Sequence, residues 1–380
     1  MKILVCPSGF KGSISPSTAA ECIGKGILKA LPHASIRKVP LADGGEGFTH
    51  ALSTYTGGII RHVSVTGPTG SPTPSFYGLL DNKTAVIEMA AAAGLSLVPE
   101  TSRNPCTTTT FGVGQLIAAA LDEGVQRIII GCGDSGTSDG GAGLLQALGA
   151  RFVDREGHDI PPASGGEALP SLAGIDFSNL HPGLKKVKIE AVCNWTNVLC
   201  GHQGVARVYA PQKGASSAQT DLLSTALETY AKVIHRTLGV DISKVPGSGA
   251  SGGLGAGLLL LGARLRPRYD ALMEYFHLED LFDCDLVITA EGGIDSQTPH
   301  GKIPAEVAVR AKERGIPVIV LAGTVGVDAH VNYEVGIDAF ISILQRPETL
   351  EEAVSETERL LVEGAEGVMR MVNVGRVLGL

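Results

Sequence analysis

Between Asp285 and Lys302 the sequence reads Asp-Leu-Val-Ile-Thr-Ala-Glu-Gly-Gly-Ile-Asp-Ser-Gln-Thr-Pro-His-Gly-Lys, an apolar run ending in two acids, hydroxyls, an amide and a lysine. Phosphoryl transfer asks little covalent chemistry of a protein. It needs cations on the phosphates, acids to hold Mg²⁺ and an acceptor for the hydroxyl proton. Lys11, Lys213 and Lys302 are candidates for the first task, and Asp43, Glu46, Asp139, Glu291 and Asp295 for the other two. Any one of these alone reads as a solvated loop charge. Five acids in glycine-rich loops at strand or helix ends are harder to explain that way.

Two segments match G-x-G-x-x-G: Gly131-Cys-Gly-Asp-Ser-Gly136 and Gly247-Ser-Gly-Ala-Ser-Gly252. For the first, Asp154 lies about 20 residues downstream, as a dinucleotide site requires, so a nicotinamide-dependent oxidoreductase built on Gly131–Gly136 is an alternative. The stretch also carries Ser135, Thr137, Ser138 and Asp139, more hydroxyls than a pyrophosphate turn needs. Both segments read better as backbone cradles for phosphate oxygens. A P-loop is absent, because Gly24-Lys25 and Gly301-Lys302 are preceded by Ala19 and Ser296 where glycine is required.

The elements that must position these residues follow from pattern. A strand over Lys2–Cys6 leads into a helix from about Pro16 to Leu31, with Ser15 as cap and Pro16 at its first position. Ile36–Leu41 is a second strand, ending at Asp43-Gly-Gly-Glu-Gly47. Thr66–Pro74, rich in Gly, Pro and Thr, suggests a crossing between domains. Strands over Phe76–Leu80 and Thr84–Glu88 flank Asp81-Asn82, a hairpin signal. Helices near Phe111–Glu123, Gly140–Leu148, Ala218–Leu238 and Gly252–Leu261 make the middle a mixed α/β region. From Leu286 a β-α-β alternation returns, with strands at Leu286–Ala290, Val318–Leu321 and Ala339–Leu344 and a helix over Pro304–Glu313. Glu291, Asp295 and Lys302 then project from a loop at a strand's carboxyl end, where open α/β sheets bind ligands. A last helix starts near Thr349, with apolar residues through Leu360, Leu361, Ala365 and Met369 that could face a second subunit in a homodimer.

At 380 residues the chain exceeds what one core usually supports, so two domains are expected. A net charge of −8 without a Lys/Arg run argues against nucleic acid or an anionic membrane as partner. No apolar run approaches the roughly 20 residues of a bilayer span, and the start resembles no secretory signal, which points to the cytoplasm. Seven scattered cysteines without C-x-x-C make zinc and disulfide readings weak. Clustered glycines, 50 in all, suit close backbone approach to a small ligand.

In order along the chain, these motifs resemble those of type I glycerate kinases. Pro7-Ser-Gly-Phe-Lys-Gly-Ser13, Asp43-Gly-Gly-Glu-Gly47, Arg103-Asn104-Pro105 with Thr107–Thr110, Gly133–Gly143, Pro211-Gln-Lys-Gly214, Gly247–Gly257 and Glu291–Lys302 carry the similarity nearly end to end. It implies phosphorylation of D-glycerate by ATP with Mg²⁺, usually at the 2-hydroxyl. It also implies a discontinuous Rossmann-like domain with a parallel sheet (1–66 and 283–380), an inserted mixed α/β domain with glycine-rich loops (67–282), and an active site in the cleft between them.

On this resemblance Asp295 orients or deprotonates the acceptor hydroxyl, Glu291 or Asp43 holds Mg²⁺, and Lys11 meets the glycerate carboxylate or the transferring phosphate. Ser13, Glu46, Arg103, Gln297 and Lys302 fall on the substrate side. Gly133, Ser135, Thr137, Asp139, Lys213, Gly249 and Gly252 fall on the nucleotide side. Three departures stand out: Gly293 replaces the common arginine, Ser8 and Gly9 alter the first loop, and Asn194 occupies an expected acid's position in the metal set. Asn accepts a hydrogen bond but takes no proton and brings no charge to Mg²⁺. If that acid is essential, a non-catalytic glycerate sensor is a further alternative.

Overall fold

The computed structural model describes residues 1–42, 44–194 and 196–379. Its strands are β1 (Lys2–Val5), β2 (Ser35–Lys38), β3 (Ile59–Thr66), β4 (Pro72–Leu79), β5 (Thr84–Glu88), β6 (Arg127–Gly131), β7 (Arg151–Val153), β8 (Gly174–Asp176), β9 (Lys188–Cys193), β10 (Arg264–Pro267), β11 (Leu286–Ile294), β12 (Val318–Val325) and β13 (Ala339–Ser342). The chain folds as two compact units, Met1–Asp43 with Leu272–Leu380, and Gly44–Ala271.

The unit built from both chain ends is a five-stranded parallel sheet ordered β13-β12-β11-β1-β2. Residues 286–291 of β11 are all buried, as expected of a central parallel strand covered on both faces. β11 runs to Ile294, beyond the predicted end at Ala290, because β12 stays paired with it through Ile294 opposite Val325. Glu291 therefore sits on the strand, and only Asp295 and Lys302 lie beyond its end.

Helix Pro16–Ala30 begins as its sequence predicts, with the Ser15 hydroxyl accepting the Thr18 N–H at 3.1 Å. It lies against helix Thr357–Val377 so closely that a Cβ on Gly26 would stand 2.3 Å from the Val362 carbonyl oxygen. Ile23, Ile27, Leu360, Leu361, Ala365 and Met369 fill the core there. That part of the apolar face the sequence offered to a second subunit is thus spent inside this unit, while Met371 on the same helix is exposed. The predicted single final helix is two segments, Leu350–Ser355 under a Thr349/Glu352 capping box, then Thr357–Val377.

The other unit carries a six-stranded sheet ordered β10-β9-β6-β5-β4-β3. β3, β4 and β5 are antiparallel neighbours, and β5, β6, β9 and β10 run parallel. Asp81 turns the β4–β5 hairpin by accepting the Lys83 and Thr84 N–H groups at 2.7 and 2.5 Å. β3 pairs with β4 along its whole length, from Ile59 opposite Leu79 to Thr66 opposite Pro72. Gly67-Pro68 is therefore a hairpin turn, where the sequence suggested a domain crossing, and the units divide after residues 43 and 271 instead of 66 and 282. Helix Ala250–Leu260 starts with three left-handed residues, Ser251, Gly252 and Gly253. Among the described residues no helix is long and apolar enough to cross a membrane.

Candidate active site

The end of β11 gathers one group of functional side chains. Glu291 is 7 % exposed, and burial, opposed by Lys302 and Thr298, raises its carboxyl to about 7. Thr298, fully buried, accepts the Asp295 N–H at 3.1 Å and donates to Glu291 Oε1 at 3.0 Å. Lys302 Nζ reaches the Gly293 carbonyl at 2.9 Å, Asp295 Oδ1 at 3.2 Å and Glu291 Oε1 at 3.7 Å. Burial alone would raise the Asp295 carboxyl; the Gln297 N–H, Lys302 and the Thr298 N–H outweigh it and hold it below its ordinary value. Two carboxylates of different character, one poised near neutrality and one firmly ionised, thus share a threonine and a lysine. Asn332, also fully buried, clamps the Asp295 carbonyl at 2.9 Å. Gln297 is exposed beside them.

Because β1 lies next to β11, the loop after β1 passes beside this group. Ser8 donates its N–H to the Ala290 carbonyl at 2.8 Å, and the backbone at Phe10 and Lys11 faces Gly292. Lys11 is exposed. Ser13, read from the resemblance as substrate-binding, lies 3.0 Å from the Val354 carbonyl and 2.7 Å from the Thr357 hydroxyl. It ties the loop to the C-terminal helices. Asp43, expected at the metal or as base, lies outside the described residues.

In the inserted unit, the Gly-Gly-Glu-Gly turn at 44–47 is held by a residue the sequence reading missed. Glu88, 3 % exposed at the end of β5, accepts the Gly47 and Thr49 N–H groups at 3.2 and 2.8 Å. Burial raises it to about 7 against those bonds. A carboxylate ending the buried run Ala85-Val-Ile-Glu88 was the available signal. Glu46 is exposed, with its N–H on Asp134 Oδ2 at 3.1 Å.

Asp139 is fully buried and its oxygens are occupied by the Thr110 N–H and hydroxyl, both at 2.8 Å, and by the Gly141 and Gly143 N–H groups at 3.1 and 3.2 Å. It fastens the Thr107–Thr110 segment to the glycine loop. Gly133 and Gly249 are tightly packed: added Cβ atoms would meet Gly45 at 2.6 Å and the Val198 carbonyl at 2.2 Å.

Lys213 is only 2 % exposed, and its Nζ donates to Ser135 Oγ at 2.8 Å and the Thr137 carbonyl at 2.6 Å. Burial, only partly opposed by Asp139, lowers it to about 7. Gly252, at φ +71, faces both the Thr137 carbonyl and Lys213 Nζ; a Cβ there would come within 1.9 and 3.1 Å of them. Arg103 lies against Gly214, next to Lys213, and pairs loosely with Glu100 at 3.5 Å. Asn194 turns inward on its own chain, its Oδ1 accepting the Thr196 N–H and hydroxyl at 3.2 and 2.9 Å. That bonding leaves the metal role expected of it without structural support.

The dinucleotide alternative fails on context. Gly131–Gly136 follows β6 but opens no helix, the next beginning at Ala142, and Asp154 holds its own turn through the Glu156 and His158 N–H groups.

A profile of the glycerate kinase family matches residues 3–373. The chain belongs to the glycerate kinase family. A glycerate kinase of Bacillus subtilis (strain 168) is 45% identical over 100% of this chain and 99% of its own length. The glycerate 2-kinase of Escherichia coli (strain K12) is 47% identical over 93% of each chain. A crystal structure from Salmonella typhimurium LT2, provisionally named glycerate kinase 2, superposes with a TM-score of 0.84 at 44% identity, covering 99% of both chains. Family membership thus covers both units of the fold, and with them the Glu291–Lys302 and Lys213 groups.

Proposed function

We propose that this chain is a glycerate kinase that transfers the terminal phosphoryl group of ATP to the 2-hydroxyl of D-glycerate, releasing 2-phosphoglycerate and ADP. The observation that carries the reading is the Glu291–Thr298–Asp295–Lys302 group at the carboxyl end of β11. Asp295, ionised at neutral pH, orients the acceptor hydroxyl and receives its proton at Oδ2 while Lys302 holds Oδ1. Lys11 draws the glycerate carboxylate, and Lys213 with Ser135 and Gly252 serves the nucleotide phosphates. The ATP it consumes is a cytoplasmic metabolite, and we place the enzyme there.

Among the described residues no three His, Cys, Asp or Glu side chains gather as a cation cage. Mg²⁺ usually takes one or two carboxylates and completes its shell with waters and substrate phosphates. Glu291 would supply one such carboxylate, leaving Asp295 for the acceptor hydroxyl. Bound there, Mg²⁺ would neutralise charge on the phosphate oxygens.

Coupled detection of ADP tests the reading. ADP should appear only when D-glycerate and ATP are both present. Glycerate binding without any glycerate-dependent ADP would leave a sensor in place of a kinase.

A further inference from the structure

The residues around Lys213 contain more unmet hydrogen-bonding capacity than a packed interior tolerates. Its ammonium group has three N–H bonds, of which Ser135 Oγ and the Thr137 carbonyl take two, and among the described residues no carboxylate pairs with it. The hydroxyls of Thr137, Ser138 and Ser251 are buried without a partner among the described residues. Such groups are rare in folded interiors, and each costs free energy unless something else satisfies it. Ser251 is also held at φ 52 and ψ 50, a conformation that L-residues seldom adopt, beside Gly252 at φ +71. Strain of this kind persists where the surroundings enforce it, commonly at ligand sites.

We propose that Lys213 with the Thr137, Ser138 and Ser251 hydroxyls forms a cradle for one phosphate group of the nucleotide, and that phosphate entry draws a proton from solvent onto Lys213. This rests on the kinase reading and deepens it. The cradle offers several donors and a buried amine, a combination that selects a tetrahedral oxyanion over a neutral ligand. Three other ionisable groups lie on or against the segments around it. Asp139 has its oxygens committed to backbone and hydroxyl donors, Tyr230 lies against Gly140 with its phenol kept protonated by burial, and Arg103 stands beside Gly214. Lys213 itself is held near neutrality, at about 7, chiefly by burial. Its added charge is then balanced by the phosphate it contacts.

Titration calorimetry of the whole protein with Mg-ATP, without glycerate, at pH 8 in Tris and in HEPES reads proton uptake from the difference in heat. The wild type should take up close to one proton more per nucleotide than Lys213→Met or Lys213→Arg, the latter because arginine is already charged. Ser251→Gly relieves the backbone strain while removing the hydroxyl, so it should fold well and bind Mg-ATP about fivefold or more weakly. Equal uptake in wild type and both lysine variants, or undiminished binding by Ser251→Gly, overturns the cradle while leaving the kinase intact. Failure of the wild type to bind Mg-ATP at all overturns both.

Discussion

Lys302 Nζ lies 3.2 Å from Asp295 Oδ1 and leaves the second carboxylate oxygen of Asp295 unclaimed by any lysine among the described residues. Against burial, the Gln297 N–H and then this contact hold the Asp295 carboxyl below its ordinary value, so its contribution depends on charge and placement. A positioned base supplies roughly 10² to 10⁴ in rate. Asp295→Asn keeps the shape and should lower kcat at least about 100-fold; a folded variant that loses less than about tenfold removes Asp295 from the mechanism.

Thr298 is the joint between the two acids, accepting from one residue's backbone and donating to the other's side chain. Thr298→Val preserves volume but leaves the half-buried Asp295 N–H without its acceptor and deprives buried Glu291 of a donor, a loss of about 1 to 3 kcal/mol. Both kcat and thermal stability should fall. Thr298→Ser should restore both, and a valine variant as active as wild type would show that the acids do not need the joint.

Much of the architecture was legible in residue pattern, because alternating strands and capped helices announce themselves locally. Ser15-Pro16 started its helix as predicted, and Asp81 turned its hairpin. The units' limits were misplaced at Gly67-Pro68, since a glycine-proline turn looks the same whether it joins two domains or two paired strands. Within the site, Lys302, Asp295 and Glu291 converge as their spacing suggested. Ser13, Asp139 and Gly133, read as ligand contacts, also hold the scaffold together. That second role rests on partners distant in sequence, such as Thr357 for Ser13. Glu88 and Asn332 went unnoticed for the same reason.

Glu88 makes stability depend on pH in a definite direction. Its folded value of about 7 stands above the ordinary 4.5, so the folded state binds more protons between those limits. Its contribution is complete below about pH 4.5 and is lost as pH rises to about 7. Glu88→Gln should therefore lose less stability than wild type between pH 5 and 8, by about 1 to 3 kcal/mol. Parallel denaturant-unfolding curves for the two proteins across that range would refute this.

At Gly26 two helices of one core pack so tightly that an added Cβ would stand 2.3 Å from the Val362 oxygen. Although alanine favours helix, Gly26→Ala must push the final helix away, at about 1 to 3 kcal/mol. A lower urea midpoint is expected; an unchanged or higher one means the helices separate freely.

Phosphorus NMR of the product formed from ATP and D-glycerate tests the central claim most directly. The account predicts 2-phosphoglycerate in equal amount to ADP, with the signal nearly abolished by Asp295→Asn. Phosphate appearing on the 3-hydroxyl, or ATP consumed with no phosphoglycerate formed, would contradict it.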